Sequence, residues 1–248
     1  MKLFISLNSN SARIDLPIHY NHFIQAAIYK LLQPAFASFL HEHGYVYEKR
    51  QFRLFSFSRL MGNYKLNQKK GIITFFNPVN LVILSPLKPF SEDIINSLML
   101  GKCINLGKQM LEVSEIAIDF PKVREDEVRV RTLSPIVSYS TIKRPDGRKF
   151  TRYFEPAESE FGRLVALNLF KKMRAWDPCS VVSEDEFNFV IEPLGGIRRN
   201  LVLYKSNVIK GYSGIFLLKG EPHYLEFALN VGLGSKGAQG FGAIEMCG

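Results

Sequence analysis

Cysteine and tryptophan are scarce in this 248-residue chain, which has three cysteines and one tryptophan. Cys103, Cys179 and Cys247 lie far apart with no CxxC spacing, so the sequence does not imply a disulfide framework and argues against a zinc or iron–sulfur site. No apolar run reaches the roughly 18 residues needed to cross a bilayer. The N-terminus turns polar after a short apolar stretch, which is typical of a strand and not of a secretion signal. We therefore expect a cytoplasmic protein without membrane contact, metal or other cofactor.

Acidic residues are outnumbered, with 23 Asp/Glu against 32 Lys/Arg and a net charge of +9. The excess is spread along the chain, with 17 basic against 11 acidic residues in 1–131 and 15 against 12 in 132–248. Such a balance indicates an acidic partner, of which nucleic acid is one class. The length allows one large domain or two of about 120 residues, and 46% hydrophobic residues suffice for a core.

The first half shows strand and helix periodicities in alternation. Pro34 at a helix start and Gly44 just past its end delimit a short second helix, and Ser91 is a candidate N-cap of a later one. The predicted strands are Lys2–Asn8, Phe52–Phe57, Ile72–Phe76, Asn80–Leu84 and Met110–Phe120. The predicted helices are one from Asn21, Pro34–His43, and one from Ser91 through Leu100.

The second half repeats this pattern after a linker predicted at Pro121–Arg131. The predicted strands are Thr132–Ser140, Lys149–Tyr153, Phe187–Ile191, Leu201–Tyr204, Tyr212–Leu218 and Ala243–Met246, with a Pro145-Asp146-Gly147 turn and helices Pro156–Trp176 and Pro222–Val231. Two consecutive β-α-β-β-α-β units predict an α+β protein with two tandem ferredoxin-like domains, at residues 1–124 and 125–248. This fold hosts many functions and names none.

A glycine-rich segment near the C-terminus is the most unusual local feature. Its Gly232-x-Gly234-x-x-Gly237 spacing matches the dinucleotide fingerprint, but a helix precedes it and a strand follows, the reverse of the required order. Lys236 also lacks Walker A spacing. One interpretation is an RNA-binding loop whose N–H groups, at Gly234, Gly237 and Gly240, and whose Lys236 contact phosphates. The other is a glycine-rich turn that packs tightly against the sheet.

A predicted hairpin at residues 142–153 interleaves cations with aromatic residues. Cations bind phosphates and aromatic rings stack on bases, so this combination favours a single-stranded RNA contact, although a solvated hairpin fits equally well. The candidate cations are Lys143, Arg144, Arg148, Lys149 and Arg152. Arg198 and Arg199, which follow Gly195-Gly196, are weaker candidates of the same kind.

Residues suited to cutting RNA without a metal occur close together in the first half. In such a reaction the 2′-hydroxyl attacks the adjacent phosphate, which requires a base, an acid and a cation. His41 lies near the end of the second predicted helix, where the helix dipole stabilises positive charge and suits a general acid. Tyr29 lies one helix upstream, and Lys49, Arg50 and Arg53 follow. Taken alone, a single histidine here is more often a surface or capping residue.

Several segments together resemble a known family. Tyr20-Asn-His-Phe-Ile-Gln-Ala-Ala-Ile-Tyr29, Phe39-Leu-His-Glu42 and Arg53-Leu-Phe-Ser-Phe-Ser58 lie near the N-terminus. Thr132-Leu-Ser-Pro-Ile136 opens the second half, and Val231-Gly-Leu-Gly-Ser-Lys-Gly-Ala-Gln-Gly-Phe-Gly242 closes the chain. Over nearly its whole length the chain resembles the Cas6 family of CRISPR RNA-processing endoribonucleases. The terminal loop is shared with the wider superfamily of repeat-associated Cas proteins, so it is less specific.

The resemblance implies two ferredoxin-like domains and cleavage of CRISPR repeat RNA to a 2′,3′-cyclic phosphate and a 5′-hydroxyl. By motif, Tyr29 falls at the family's catalytic tyrosine and His41 at its catalytic histidine. The third family residue is a lysine just before a strand, whereas this sequence has Arg53 there and Lys49 four residues upstream. An arginine and an ammonium are not interchangeable, so the cationic role stays open between these two residues.

The resemblance also leaves alternatives. Some family members bind repeat RNA without cutting it, so the rival hypothesis is a non-catalytic RNA-binding or scaffold subunit of a CRISPR complex. An ordinary RNA-recognition module is disfavoured because the sequence lacks its Lys/Arg-Gly-Phe-Gly-Phe pattern. The expected partner is CRISPR repeat RNA, with other Cas proteins as further candidates, and both a monomer and a homodimer are compatible with the sequence.

Overall fold

The structure is a computed structural model that describes residues 1–143, 147–180 and 182–247, without the side chain of Lys149. The predicted turn at Pro145 and Asp146 and the candidate Arg144 lie outside the described residues. Within the described ranges, no helix is both long and apolar enough to cross a membrane.

The first half of the chain forms a five-stranded antiparallel sheet of order β5-β8-β1-β10-β9, a smaller sheet β2-β7-β6 and a β3–β4 hairpin. Its elements are β1 (Lys2–Asn8), β2 (Arg13–Pro17), α1 (Asn21–Leu31), α2 (Pro34–Glu42), β3 (Tyr45–Tyr47), β4 (Arg50–Phe52), β5 (Ser56–Phe57), β6 (Tyr64–Asn67), β7 (Ile72–Phe76), β8 (Val79–Leu84), α3 (Lys88–Gly101), β9 (Cys103–Leu106) and β10 (Gln109–Asp119).

The second half forms a four-stranded antiparallel sheet of order β14-β15-β11-β16 and a separate β12–β13 hairpin. Its elements are β11 (Glu127–Thr132), β12 (Tyr139–Lys143), β13 (Lys149–Tyr153), α4 (Ser159–Trp176), β14 (Val190–Tyr204), β15 (Asn207–Lys219), α5 (Pro222–Val231), a 3₁₀ turn at Gly237–Gln239, and β16 (Ile244–Met246).

Both sheets have the strand order of a ferredoxin-like unit. If the four principal strands of each half are numbered along the chain, the order is 2-3-1-4 in both, for β5-β8-β1-β10 and for β14-β15-β11-β16. The predicted α+β class with two tandem ferredoxin-like units is thereby confirmed. We propose 1–124 and 125–248 as the two halves, because β10 ends at Asp119 and β11 begins at Glu127.

One hydrophobic core runs through both halves, from Leu3 and Ile24 in the first to Val165 and Leu225 in the second. Hydrogen bonds also cross the boundary. The Arg59 N–H donates to the Leu133 carbonyl at 3.0 Å, and Ser134 Oγ donates to the Phe57 carbonyl at 2.8 Å. The halves therefore form one packed body, with a seam where these groups meet.

The predicted linker and first strand of the second half were misplaced. The chain is already a strand at Glu127–Thr132, where Val128 and Val130 alternate with charged residues at the period of two of a strand, although the many charges of this stretch suggested a linker. The predicted strand Thr132–Ser140 is wrong at residues 133–138, since β11 ends at Thr132 and β12 begins only at Tyr139. Pro135 lies in this segment and has no N–H to donate to a strand ladder.

Two other boundaries differ from the prediction. Leu201–Tyr204 and the last residues of Phe187–Ile191 belong to one strand, β14, which absorbs Pro193 and Gly195 in bulges at the sheet edge. The third helix begins at Lys88, so Ser91 is not its cap. Ser91 Oγ donates instead to the Leu87 carbonyl one turn earlier, at 3.1 Å.

Candidate active site

A cleft of about 870 Å³ lies between the two halves. The first half contributes one face of α1, the end of α2 and the segment 50–55, and the second half contributes the base of β12, one face of α4, the tip of the β14–β15 hairpin and the glycine-rich loop. The lining residues are Gln25, Tyr29, His41, Arg50, Gln51, Phe52, Arg53, Leu54, Phe55, Tyr139, Ser140, Thr141, Leu164, Asn168, Lys172, Tyr204, Lys205, Gly234, Ser235, Lys236, Gly237, Ala238 and Gln239. Among them are several lysines and arginines but no carboxylate, so the cleft attracts anions.

Tyr29 and His41 face each other on the first-half wall. Their ring centroids are 5.9 Å apart with the planes at 81°, and Phe55 contacts the Tyr29 ring on its edge at 5.8 Å. Two short helices produce this arrangement. Pro34 starts α2 directly after α1, and the fully buried Leu40 fixes the last turn of α2, so that His41 lies beside Tyr29.

Arg53 joins the same pair. Its Nη2 donates to the His41 carbonyl at 2.7 Å, and the buried neighbours Phe52 and Leu54 hold the backbone on either side. Leu54 has φ +52°, which ends the ladder at Phe52 and breaks the predicted strand Phe52–Phe57 into β4 and β5. The turn therefore places the Arg53 side chain in the cleft.

The environment of Tyr29 favours its neutral form. Burial raises the pKa of the phenol, and the charge and hydrogen bond of Arg53 only partly offset this effect. At neutral pH Tyr29 is thus a neutral phenol that donates and accepts hydrogen bonds.

The two candidates for the cationic role occupy different places. Lys49 is exposed in the turn between β3 and β4 and does not line the cleft, whereas Arg53 does. Arg50, on the strand after that turn, also lines the cleft. The geometry favours Arg53 over Lys49.

The glycine-rich loop is a tightly packed turn that also borders the cleft. A Cβ at Gly234 would lie 2.6 Å from the Val137 carbonyl oxygen, and one at Gly242 would lie 1.9 Å from the Leu233 carbonyl oxygen. Both glycines have positive φ, so this part of the loop is a tightly packed turn. Residues 234–239 also border the cleft. Gly240 lies behind them, where a Cβ would meet the Phe57 ring.

Lys236 is the cation of this loop. Its Nζ lies 5.2 Å from the centre of the Tyr139 ring, and its backbone has φ +68°. Burial lowers the pKa of the Lys236 ammonium. The predicted set Gly234, Lys236 and Gly237 is therefore brought to the same cleft as Tyr29 and His41.

The hairpin cations are placed differently. Lys143 and Arg148 are exposed and do not line the cleft, whereas Tyr139, Ser140 and Thr141 at the base of the hairpin do. Nothing is described of the Lys149 side chain. Arg152 donates to Glu158 at 2.8 Å and lies 4.7 Å from the centre of the Phe154 ring, outside the cleft.

Arg198 and Arg199 lie on the exposed edge strand β14 and are not among the cleft residues. Their neighbour Asn200 accepts from Arg59 Nη2 at 2.8 Å, so this part of β14 is joined to the first half. The structure does not bring these two arginines to Tyr29 and His41.

The tip of the β14–β15 hairpin supplies residues that sequence reasoning missed. Tyr204 donates to Gln25 Oε1 on α1, and the Leu203 N–H donates to His19 Nδ1 at 3.2 Å, so the tip is fixed against the first half. Burial and the proximity of Tyr29 raise the pKa of Tyr204. Lys205 follows in the turn and lines the cleft. No local pattern marks these residues, because they meet only through the fold.

Two further cleft residues were missed although the sequence contained a signal. Asn168 and Lys172 follow Val165 and Leu169 on the inward face of α4, and all four are buried. Polar residues four apart on an apolar helix face are unusual, because burying them without partners costs free energy. Such a pair marks a helix face that borders a polar site.

Comparisons with known proteins show the family of the chain. The family described as "CRISPR associated protein Cas6, C-terminal" matches residues 118–246, just over half of the chain. The chain belongs to the Cas6 family. A CRISPR-associated endoribonuclease Cas6 from Methanocaldococcus jannaschii is 25% identical over 249 aligned positions, which cover 98% of this chain and 92% of the relative.

Solved structures from the same family cover the whole chain. A Cas6-related protein from Pyrococcus furiosus is 20% identical with a TM-score of 0.84, covering 100% of this chain and 98% of the other. A structure described as CRISPR associated protein Cas6 is 25% identical with a TM-score of 0.78, covering 100% of this chain and 99% of the other. Both ferredoxin-like units are therefore shared with Cas6 proteins.

Proposed function

We propose that this Cas6-family chain is a metal-independent endoribonuclease that cuts CRISPR repeat RNA to generate guide RNAs. The observation that carries the proposal is the placement of Tyr29, His41 and Arg53 together on the wall of a cleft rich in cations. The relationship to a CRISPR-associated endoribonuclease of M. jannaschii supports a role in CRISPR RNA processing.

The chemistry follows from the three side chains. The 2′-oxygen of the nucleotide before the cut attacks the adjacent phosphorus, and the bond from phosphorus to the 5′-oxygen of the next nucleotide breaks. The products are a 2′,3′-cyclic phosphate and a 5′-hydroxyl. Neutral Tyr29 orients the 2′-hydroxyl, whose proton leaves to solvent, and protonated His41 gives its proton to the departing 5′-oxygen. Arg53 neutralises the charge that develops on the phosphorane.

The two halves divide the work in this proposal. The first half supplies Tyr29, His41 and Arg53, and both halves form the groove that binds the RNA. Lys236 with the N–H groups at Gly234 and Gly237 would contact the RNA backbone beside the cut.

The rival hypothesis is a non-catalytic RNA-binding or scaffold subunit. A binder has no need of a tyrosine and a histidine with ring centroids 5.9 Å apart and an arginine bonded beside them. This geometry favours the enzyme over the binder.

The test is cleavage of an end-labelled CRISPR repeat RNA in EDTA by the wild type, His41→Ala and His43→Ala. His43 is the matched control, since it lies two residues from His41 at the C-terminal end of α2, is exposed and does not line the cleft. A second substrate carries a 2′-deoxy sugar just before the cut. We expect the wild type to cut in EDTA, His41→Ala to be slower by about 10²- to 10⁴-fold, and His43→Ala to keep the wild-type rate.

The two substrates and the variants distinguish the endoribonuclease from a non-catalytic RNA-binding protein. Loss of cutting on the 2′-deoxy substrate supports attack by the 2′-hydroxyl. Tight, specific binding without any cutting by the wild type would move the chain to the non-catalytic class, and wild-type rates in His41→Ala would remove His41 from the mechanism.

A further inference from the structure

Lys172 is a buried lysine at the floor of the cleft. Its relative exposure is 6%, and its Nζ donates to the carbonyl oxygens of Gly232 and Gly234, both at 2.9 Å. It lines the cleft beside Asn168, which lies one turn earlier on α4 and has a buried Oδ1 without a hydrogen-bond partner among the described residues. An ammonium has three N–H donors, so one N–H of Lys172 remains free after the hydrogen bonds to the two carbonyl oxygens.

No carboxylate balances this charge among the described residues. Glu48 of the β3–β4 turn forms an ion pair with the neighbouring Lys171, whose Nζ lies 2.6 Å from Glu48 Oε2. The charged and titratable groups that border the cleft from the surrounding elements are the phenols Tyr29, Tyr139 and Tyr204, His41, and the cations Arg50, Arg53, Lys205 and Lys236. A buried ammonium without a counter-ion is costly, and burial lowers the pKa of Lys172 to about 7.

We propose that Lys172 is a phosphate-binding residue whose free donor contacts a backbone phosphate of the bound RNA, so that the phosphate becomes its counter-ion. This inference rests on the proposed function, because it requires RNA in this cleft. It adds a contact at the floor, contributed by α4, to those of the glycine-rich loop.

Two consequences follow from the same geometry. A phosphate beside the ammonium stabilises the charged form, so RNA binding takes up a proton when the free protein holds Lys172 partly neutral. Affinity should therefore fall as the pH rises above about 7, the pKa of the unliganded side chain. A lysine that only held the loop carbonyls would show neither a salt-dependent contact nor this proton uptake.

The first experiment measures binding of a repeat RNA with a 2′-deoxy sugar before the cut, between about 50 and about 200 mM salt. It compares the wild type, Lys172→Met and Lys108→Met. Lys108 is the control for losing one positive charge, since it is exposed and does not line the cleft. We expect Lys172→Met to bind about 10- to 100-fold more weakly, with a slope of log affinity on log salt shallower by about 0.7. Lys108→Met should keep the wild-type slope.

The second experiment remains decisive if Lys172→Met does not fold. Calorimetry of RNA binding by the double variant His41→Ala/Lys236→Arg in two buffers of different ionisation enthalpy counts the protons taken up, without a contribution from His41 or from the Lys236 ammonium, whose pKa burial also lowers. At pH 8 we expect an uptake of about one proton.

The inference is overturned by a wild-type salt slope in Lys172→Met, or by no proton uptake in His41→Ala/Lys236→Arg. Either result with normal cleavage by the wild type leaves the proposed function standing. Failure of the wild type to bind the RNA would remove the proposed function itself.

Discussion

The two ferredoxin-like halves have the same strand order but carry different additions at the cleft. The first half inserts α2 and the β3–β4 hairpin between α1 and β5, which brings His41 and Arg53 to Tyr29. The second half inserts the β12–β13 hairpin before α4 and lengthens β14 and β15 beyond the sheet. One copy of the scaffold thus carries a short helix and a hairpin that position the candidate catalytic side chains, and the other copy carries extended hairpins.

The charges of the cleft follow the same division. The first half contributes the tyrosine, the histidine and the arginine of the proposed reaction, and the second contributes Lys172, Lys205 and Lys236. We infer that the first half acts on the reacting phosphate and the second half holds the rest of the RNA backbone. Substitutions in the two halves should therefore change different quantities.

The largest effect is expected in the first half. Arg53→Ala removes the cation beside Tyr29 and His41, and we expect the single-turnover cleavage rate to fall by about 10²- to 10³-fold with RNA affinity changed much less. Arg53→Lys should recover part of the rate, because an ammonium supplies charge without the planar fork. Lys49→Ala is the control, and a loss in this variant as large as in Arg53→Ala would return the cationic role to Lys49.

A smaller effect is expected from the packing of the second half. In Gly234→Ala a Cβ would meet the Val137 carbonyl oxygen at 2.6 Å on a backbone with φ +68°. We expect the free energy of unfolding to fall by about 2 kcal/mol, or roughly 4–8 °C in melting temperature, with weaker RNA binding. Gly195→Ala is the matched control, since a Cβ there meets nothing within 4 Å. Equal melting temperatures for the two variants would show that the loop accommodates the added Cβ without a loss of folding free energy.

The smallest effect concerns the contact between the halves. Glu245 on β16 pairs with Lys2 of the first half at 2.9 Å and with Arg131 at 2.6 Å. Burial acts to raise the pKa of Glu245, but the bonds from Lys2 and Arg131 outweigh it and lower the pKa. The pairing therefore stabilises the fold above the ordinary carboxyl pKa of about 4.3 and is lost as the pH falls below it.

Glu245→Gln should lower the free energy of unfolding by about 1 kcal/mol at pH 7, and the difference from the wild type should shrink in acid. Denaturant unfolding at several pH values measures both. The control is Glu192→Gln, whose partner Lys219 lies at 3.0 Å within the second sheet with both side chains more than 40% exposed. That pair should contribute little, and an equal loss in both variants would contradict a special role for the contact between the halves.

Much of the fold could be predicted because its signals are local. Alternation in Lys2–Asn8, the Pro34 helix start and the apolar face of Pro222–Val231 each determine an element within a few residues. The errors lie where tertiary structure overrides local signals. Bulges at a sheet edge accommodate Pro193 within β14, and the buried crossing of residues 133–138 resembles a strand in sequence only.

The site was less accessible to sequence reasoning. Tyr29 and His41 were identified through residue type and resemblance, and their roles remain a proposal. Arg198 and Arg199 were chosen for charge alone and lie elsewhere on the surface. Lys205 and Gln25 are 180 positions apart and border one cleft only because two sheets pack together, which no local pattern encodes.

The hydrogen bonds at the seam between the halves limit how far the cleft can open for an RNA. The bonds from Arg59 to Leu133 and from Ser134 to Phe57 use the backbone, and Asn21 on α1 adds one to the Gln239 carbonyl at 2.9 Å. A hinge motion would have to break these bonds and expose the shared core. We therefore expect the width of the cleft to be the same before and after RNA binding. The flexible RNA strand would then change its conformation on binding and lose conformational entropy.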